Sequence, residues 1–161
     1  MVLAPRHAER SAEIAQAIKE VGHSVAIRSQ GQLPTPDTDV WLVDTMGEMG
    51  LWYRLAPVTF VGGSFGTAGG HTPFEPILLD SAVLHGPNVA NFAPSYRALA
   101  ASKAVITVNS ASDLASAVER LLTDEAAFAA TIEAARGAHA QLMPDVDAMA
   151  AELLTLLEPV S

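Results

Sequence analysis

Short apolar runs alternate along the chain with longer segments in which apolar residues recur at helical spacing. The short runs predict strands at residues 2–4, 24–28, 40–43, 58–61, 82–84 and 104–108. The longer segments predict helices at residues 8–21, 48–55, 73–79, 96–101, 110–122, 124–140 and 145–157. Strands that alternate with helices are typical of βα units and a parallel sheet. We therefore predict an α/β fold, with a doubly wound parallel sheet and a helical C-terminal tail.

Single residues mark several ends of these helices. Gly22 follows the predicted helix at 8–21 and suits its C-terminal stop. Ser110 and Asp124 each precede a segment of the tail and are residue types that cap a helix N-terminus.

Composition and charge narrow the class of protein. The chain has 161 residues, which fits one domain with a substantial core, and 50% of them are apolar. The net charge is −9 at pH 7 and the isoelectric point is about 4.8. An acidic surface repels a phosphate backbone, so we expect no nucleic-acid partner. The chain has no cysteine, which excludes disulfides, thiolate nucleophiles and cysteine-ligated zinc.

Nothing in the sequence predicts a signal peptide or a membrane span. No apolar run approaches the roughly 20 residues that cross a bilayer, and Pro5-Arg6-His7 interrupts the apolar start. We therefore expect a soluble chain. The first predicted strand has almost nothing before it, so we also expect a longer protein cut at a domain boundary.

The most informative stretch is glycine-rich, residues 62–70, within a segment that runs from residue 60 to residue 76. It follows a predicted strand and leads into a predicted helix. Glycines let backbone N–H groups approach an anion closely, and the segment lacks the lysine motif of ATPase phosphate loops. Two interpretations remain open at this point, an anion-binding loop and a flexible loop without a ligand.

Three side chains of this segment are candidate ligand contacts. Glu75 could accept hydrogen bonds from a ribose diol, although Thr72, Pro73 and Glu75 equally fit a helix-capping box. His71 could hydrogen-bond a ligand. Ser64 falls one glycine position short of a Gly-x-Ser-x-Gly nucleophile elbow, so a hydrolase triad has weak support.

Two further junctions between strand and helix carry polar residues. Arg6 follows the first strand and suits a phosphate, because its guanidinium binds two oxygens at once; a surface ion pair is the alternative. The Gly47 amide could meet a phosphate or a base edge. Glu48 could be a ligand group or an acid that compensates the helix dipole.

The histidines have no spacing that predicts a metal site. The chain lacks both His-x-x-x-His and His-Glu-x-x-His, so we expect no bound metal. We expect His23 and His139 to lie on the surface.

Five blocks of this sequence, in the same order and at similar spacing, resemble the C-terminal domain of the bacterial 3-deoxy-D-manno-octulosonic acid (Kdo) transferases. They cover roughly the first two-thirds of the chain. The blocks are Pro5-Arg6-His7-Ala8-Glu9-Arg10, Asp44-Thr45-Met46-Gly47-Glu48-Met49-Gly50-Leu51-Trp52-Tyr53, Phe60-Val61-Gly62-Gly63-Ser64, Gly69-Gly70-His71-Thr72-Pro73-Phe74-Glu75-Pro76, and Gly86-Pro87-Asn88 with Asn91-Phe92.

The resemblance implies a GT-B glycosyltransferase, in which two Rossmann-like domains face a cleft. Residues 1–161 would form a single domain that binds CMP-Kdo. An N-terminal domain absent from this chain would bind the lipid A precursor and carry the catalytic base, so no catalytic residue is expected here. Transfer would be inverting, without metal or other cofactor, in lipopolysaccharide biosynthesis. The full-length protein would be membrane-associated, at the cytoplasmic face of the bacterial inner membrane.

Matching positions imply a set of donor-binding residues, to which His71 is added because it lies in the glycine segment. Arg6 would bind the phosphate. The Gly47–Glu48 turn would bind the phosphate and the base, and Glu75 would bind the ribose. The set is Arg6, Gly47, Glu48, Ser64, His71, Glu75 and Asn91. One departure is Thr72, which replaces the family's asparagine and lacks its amide.

Two alternatives to this function remain open. The first is the donor domain of a related UDP-sugar transferase or epimerase, which competition between uridine and cytidine nucleotides would distinguish. The second is a non-catalytic nucleotide-binding module, which a native start at Met1 would favour.

Overall fold

A computed structural model describes residues 1–143 and 146–157 and confirms the predicted alternation of strands and helices. The strands are β1 (Val2–Leu3), β2 (Val25–Ile27), β3 (Val40–Leu42), β4 (Val58–Val61), β5 (Ala82–His85) and β6 (Val105–Thr107). The α-helices are α1 (Ser11–Glu20), α2 (Met49–Leu55), α3 (Phe74–Leu78), α4 (Ala93–Ala101), α5 (Ala111–Thr123), α6 (Glu125–Leu142) and α7 (Val146–Leu157). Short 3₁₀ turns lie at Ala8–Arg10, Arg28–Gln30 and Ala90–Phe92.

The chain divides into two compact units, and the first is Met1–Ala56. Its three strands are parallel, in the order β1–β3–β2, with Leu42 of β3 opposite Leu3 on one side and Ile27 on the other. Helix α1 adds the buried Ala15 to the core around Leu42. The α1 helix ends as its sequence predicts, because Gly22 takes a φ of 88° and donates to Lys19, while His23 donates to Ile18.

The second unit, which begins at Pro57, holds a parallel sheet in the order β4–β5–β6. Successive side chains of a strand point to opposite faces of the sheet. Val83 therefore packs in a cluster that includes Ile77 of α3 and Leu99 of α4, whereas Leu84 packs in a second cluster with Leu121 of α5. Helices thus cover both faces of this sheet, which explains why all four residues of β5 are buried.

Helix boundaries differ from the sequence predictions mainly at their first turns. The segment at 8–21 begins with a 3₁₀ turn before α1, and α4 begins at Ala93, ahead of the predicted residue 96, with a proline in its first turn. The predicted caps of the tail are confirmed. Ser110 accepts a hydrogen bond from the Asp113 amide at 3.0 Å, and Asp124 accepts one from the Ala127 amide at 2.9 Å.

Two details near the C-terminus complete the comparison. The predicted first residue of the last helix, Asp145, lies outside the described residues, and α7 occupies Val146–Leu157. Within the described part of the chain, no helix is both long enough and apolar enough to cross a membrane.

Candidate functional site

The carboxyl ends of the three strands of the first unit carry polar and charged residues. Arg6 follows β1, Arg28 follows β2 and Asp44 follows β3. Because the strands are parallel, their carboxyl ends lie at one edge of the sheet, which is where ligands bind in open α/β sheets. Arg6 is exposed in the loop between β1 and the first 3₁₀ turn, and its role in binding phosphate stays a prediction.

Asp44 accepts hydrogen bonds from two neighbouring segments at this edge of the sheet. Its side chain, only 9% exposed, accepts hydrogen bonds from the hydroxyls of Ser11 and Ser29 at 2.5 and 2.7 Å and from the Ser29 amide at 2.9 Å. Burial by itself would raise the pKa of Asp44, but these hydrogen bonds together outweigh it and hold that pKa below its usual value. The first turn of α1 and the turn after β2 are thereby both attached to the end of β3.

The Gly47–Glu48 turn follows Asp44, and the Glu48 carboxylate accepts hydrogen bonds from neighbouring side chains. Arg28 donates to the Glu48 carboxylate at 2.9 Å from Nη2 and 3.3 Å from Nε, and the Thr45 hydroxyl donates to it as well. These bonds, chiefly the one from Arg28, hold the pKa of Glu48 below its usual range. Glu48 itself precedes the first residue of α2, so it lies one residue outside the helix that was predicted to contain it. The Glu48 carboxylate is therefore hydrogen-bonded to Arg28 and Thr45 within the protein.

Gly47 is the more accessible member of this turn. It has a φ of 83°, which residues with a side chain rarely adopt. A Cβ placed on it would meet no atom within 4 Å. The requirement for glycine is therefore conformational, and the space around the Gly47 backbone is open. This is compatible with the predicted contact between its amide and a phosphate or a base.

Arg28 is a candidate site residue that the sequence analysis missed. Its side chain is 32% exposed, and its guanidinium carbon lies 6.0 Å from the ring centre of Trp52. The sequence pattern places it at the end of the predicted strand at 24–28. The available signal was the same one that selected Arg6, a cation at the carboxyl end of a strand.

The second unit contains the glycine loop, which we define as residues 62–71. Gly63, Gly69 and Gly70 have φ values of 71°, 80° and 73°, and the Gly70 amide donates to the Gly63 carbonyl at 3.0 Å, closing the loop. In the described part of the chain, none of the backbone N–H groups of residues 62–69 donates to a protein acceptor. Successive backbone N–H groups in a turn can bind an anion when they point to a common centre, so these groups are candidates for such a contact.

Ser64 lies inside this loop and not on its surface. It is fully buried, its hydroxyl donates to the Val61 carbonyl at 2.7 Å, and the Gly86 amide donates to the same hydroxyl at 2.8 Å. Its carbonyl accepts from the Asn88 amide at 2.9 Å. The side chain thus joins the end of β4 to the end of β5, and the predicted contact between Ser64 and a ligand stays a prediction.

The side chain and the backbone amide of Asn91 are also hydrogen-bonded within the protein. Its side-chain nitrogen donates to the carbonyls of Ala68 and Gly70 at 2.8 and 3.1 Å, and its backbone amide donates to Gly69 at 3.0 Å. Asn88 makes a similar bond, from its side-chain nitrogen to the Gly66 carbonyl at 2.7 Å. Both asparagines therefore hold the glycine loop from the segment that follows β5.

His71 closes the glycine loop and is held by a neighbouring tyrosine. Tyr96 donates from its hydroxyl to the His71 carbonyl at 3.0 Å, and the His71 Nε2 lies 3.5 Å from the position of a Cβ on Gly63. The imidazole therefore lies against the loop backbone. The predicted contact between His71 and a ligand stays a prediction.

His85, at the end of β5, supports the same region. It is 4% exposed, and its ring lies 4.4 Å from that of Tyr96. Its Nδ1 lies 2.7 Å from the Gly86 carbonyl, so Nδ1 carries the proton and Nε2 accepts from the Thr107 hydroxyl at 3.1 Å. Burial lowers the pKa of His85, which the Gly86 carbonyl opposes only in part.

Glu75 is exposed as the second residue of α3, and its predicted role in binding ribose stays a prediction. The capping box does not form as that alternative requires. Pro73 precedes the first helical residue with no side-chain cap, and Thr72 accepts only a 3.4 Å bond from the Phe74 amide. Helix α3 begins at Phe74, directly after the proline, which is one residue later than predicted.

His139, which is expected at the surface, is only partly exposed. Its ring is half-buried, 5.8 Å from that of Phe74, and its Nε2 is buried without a hydrogen-bond partner among the described residues. It lines a cavity of about 290 Å³ between α3 and α6, which no residue of the glycine loop lines. No cluster of three or more His, Cys, Asp or Glu residues that could hold a metal is found in residues 1–143 and 146–157.

Comparison with curated proteins finds relatives of one kind. The 3-deoxy-D-manno-octulosonic acid transferase of Haemophilus influenzae is 39% identical over 126 residues, which are 78% of this chain and 30% of that protein. The corresponding transferase of Bordetella pertussis is 37% identical over 84% of this chain and 32% of that protein. The chain thus spans about 30% of the length of these relatives. No family model matches it.

A solved structure extends the comparison to the fold. The crystal structure of the C-terminal CMP-Kdo-binding domain of WaaA from Acinetobacter baumannii aligns with a TM-score of 0.83 and 31% identity, over 85% of this chain and 72% of that one. The α/β fold predicted from the sequence is confirmed by this match. On these grounds the chain belongs to the 3-deoxy-D-manno-octulosonic acid transferase family.

Proposed function

We propose that this chain binds CMP-Kdo and forms the nucleotide-sugar-binding domain of a Kdo transferase. The observation that carries the proposal is the run of backbone N–H groups in residues 62–69 that have no acceptor among residues 1–143 and 146–157. CMP-Kdo combines a phosphate with an acidic sugar, and oriented N–H groups stabilise such negative charge. The Acinetobacter domain, similar in both sequence and fold, is described as binding CMP-Kdo.

In the first unit, two arginines at the carboxyl ends of strands are candidates for a contact with phosphate. Arg6 would bind the phosphate, and Arg28 is a second candidate because its bonds to Glu48 use only part of its five N–H donors. The Gly47 amide would contact phosphate or base. In the second unit, Glu75 would bind the ribose diol and His71 would add a hydrogen bond. Ser64 and Asn91 would contribute through the loop that they hold.

In the full-length protein, this domain would take part in the transfer of Kdo to a lipid A precursor. The bond between the anomeric carbon and the CMP phosphate breaks, and a bond to an acceptor hydroxyl forms. That hydroxyl gives its proton to a base on an N-terminal domain. The role of this chain is to stabilise the charge that grows on the departing phosphate, usually the largest catalytic contribution. We propose that the reaction needs no metal and takes place at the cytoplasmic face of the inner membrane.

Calorimetric titration of the chain with CMP, with UMP as the control, tests the proposal. The two bases differ at the exocyclic position, where cytosine donates a hydrogen bond and uracil accepts one. We expect CMP to bind more tightly than UMP. Preference for UMP would support a UDP-sugar enzyme instead, and binding of neither nucleotide would contradict a donor site within this chain.

An arginine variant locates the phosphate. Arg6→Ala should weaken CMP binding by about 1.5–3 kcal/mol, the range for a hydrogen bond to a charged group. The matched control is Arg54→Ala, because Arg54 is exposed on α2 and, among the described residues, donates only to the Gly50 carbonyl of its own helix. Equal affinity of the two variants for CMP would remove Arg6 from the site.

A further inference from the structure

The glycine loop is attached to the segment after β5 by two asparagine side chains. The side-chain nitrogen of Asn91 donates to the carbonyls of Ala68 and Gly70, and that of Asn88 donates to the carbonyl of Gly66. Three alternate carbonyls of the loop are thus fixed from one side. The backbone amide of Asn91 adds a fourth bond, to Gly69.

The donors of Asn91 are fully used by these bonds. A carboxamide nitrogen has two N–H groups, and those of Asn91 point to two different carbonyls at 2.8 and 3.1 Å. A ligand could take either donor only by releasing the loop. Direct contact between the Asn91 amide nitrogen and a nucleotide is therefore incompatible with the loop as it stands.

The packing between Asn91 and the loop leaves no room for a side chain. A Cβ on Gly69 would lie 2.7 Å from the Asn91 Oδ1, and one on Gly70 would lie 3.3 Å from the Asn88 carbonyl oxygen. Both glycines also have positive φ values. The loop backbone therefore lies directly against Asn91, which explains why short carboxamides can reach its carbonyls.

We propose that Asn91, supported by Asn88, is a positioning residue that orders the glycine loop before any ligand binds. By holding the loop carbonyls, the two side chains keep the backbone of residues 62–69 in a fixed arrangement, in which its N–H groups have no acceptor among the described residues. Preorganised donors bind an anion more tightly than mobile ones, because the entropy of ordering the loop is lost on folding and not on binding. The expected effect on nucleotide binding rests on the proposed function, whereas the ordering of the loop does not.

Two variants at one position separate ordering from contact. Asn91→Ala removes the side chain, and Asn91→Asp keeps its shape but replaces two donors by an oxygen that faces carbonyl groups. The matched control is Asn109→Ala, since Asn109 is exposed and its side chain has no recorded hydrogen bond within the described residues. Asn91 is itself at the surface, so neither variant removes a buried core residue.

The first measurement is amide hydrogen exchange of the ligand-free chain, followed by NMR at the Gly70 amide, which donates within the loop to Gly63. We expect both Asn91 variants to speed this exchange about tenfold or more, since each loses two hydrogen bonds. The second measurement is CMP affinity by calorimetry, which we expect to fall about tenfold in both variants and to stay unchanged in Asn109→Ala.

The outcomes are distinct. Unchanged exchange with weaker CMP binding would mean that Asn91 contacts the nucleotide directly, which overturns the proposal. Faster exchange in Asn91→Ala but not in Asn91→Asp would show that shape and not hydrogen bonding orders the loop, which also overturns it. Faster exchange with unchanged CMP affinity would refute the role in binding. If the unsubstituted chain binds no CMP, the proposed function fails, while exchange alone still decides whether Asn91 orders the loop.

Discussion

Replacement of Gly86 by alanine tests the packing between the end of β5 and the glycine loop. A Cβ on Gly86 would lie 2.4 Å from the Ser64 carbonyl oxygen, 2.6 Å from its carbonyl carbon and 3.0 Å from the Phe65 nitrogen. All three are backbone atoms, so no side-chain rotation relieves the contact. Either the loop or the end of β5 must move.

The cost follows from what that movement breaks. Overpacking of a closely packed region costs about 1–3 kcal/mol. Separation of the two segments also strains the bonds from the Gly86 amide to the Ser64 hydroxyl and from the Asn88 amide to the Ser64 carbonyl, each worth about 1 kcal/mol. Partial relaxation makes these contributions less than additive. We therefore expect Gly86→Ala to lower the free energy of unfolding by about 3 kcal/mol.

Urea denaturation of matched variants measures this value. Gly66→Ala is the control, because Gly66 belongs to the same loop but a Cβ on it would meet no atom within 4 Å. It should change the free energy of unfolding by less than about 0.5 kcal/mol, as surface substitutions usually do. If Gly86→Ala and Gly66→Ala unfold at the same urea concentration, the close approach of the two backbones is refuted.

Two further predictions concern titratable groups. Folded His85 has a pKa below the unfolded value of 6.5, so stability from this residue is present above about pH 6.5 and is lost as the pH falls below it, by at most about 1.4 kcal/mol per pH unit. Urea unfolding at pH 5.5 and 7.5 should therefore show a smaller pH effect in His85→Phe than in the unsubstituted chain, and equal effects would contradict the assignment. In Arg28→Ala, the pKa of Glu48 should rise toward its usual value while that of Glu13, paired with Arg10, stays unchanged; an NMR titration in which Glu48 does not move would show that Arg28 does not hold it.

Much of the fold could be predicted from the sequence because its causes are local. A parallel strand covered on both faces, such as β5, must be apolar along its length, so it appears as a short run of apolar residues. Ser110 and Asp124 cap helices with amides three residues away, and Gly22 ends α1 through its own φ. Each of these features depends on neighbours within one or two helical turns.

The positions of the candidate residues could be predicted as well, but their contacts could not. The glycine loop and the Gly47–Glu48 turn follow parallel strands, and the carboxyl ends of such strands carry the ligand edge. Whether Glu48 faces a ligand or Arg28 depends on a residue 20 positions earlier in the chain. No local pattern records which of the two it contacts.

The amino-acid sequence alone was sufficient to predict the class of fold and the glycine loop, because periodicity, caps and glycine conformation act over short distances, and five ordered blocks carried the resemblance to the family. The folded structure was needed to show that Ser64 points inward to Gly86 and that Asn91 donates to loop carbonyls 21 and 23 residues away. The register of β4 against β5 brings those segments within hydrogen-bond distance. That register results from packing on both faces of the sheet, so the contacts exist only once the unit has folded.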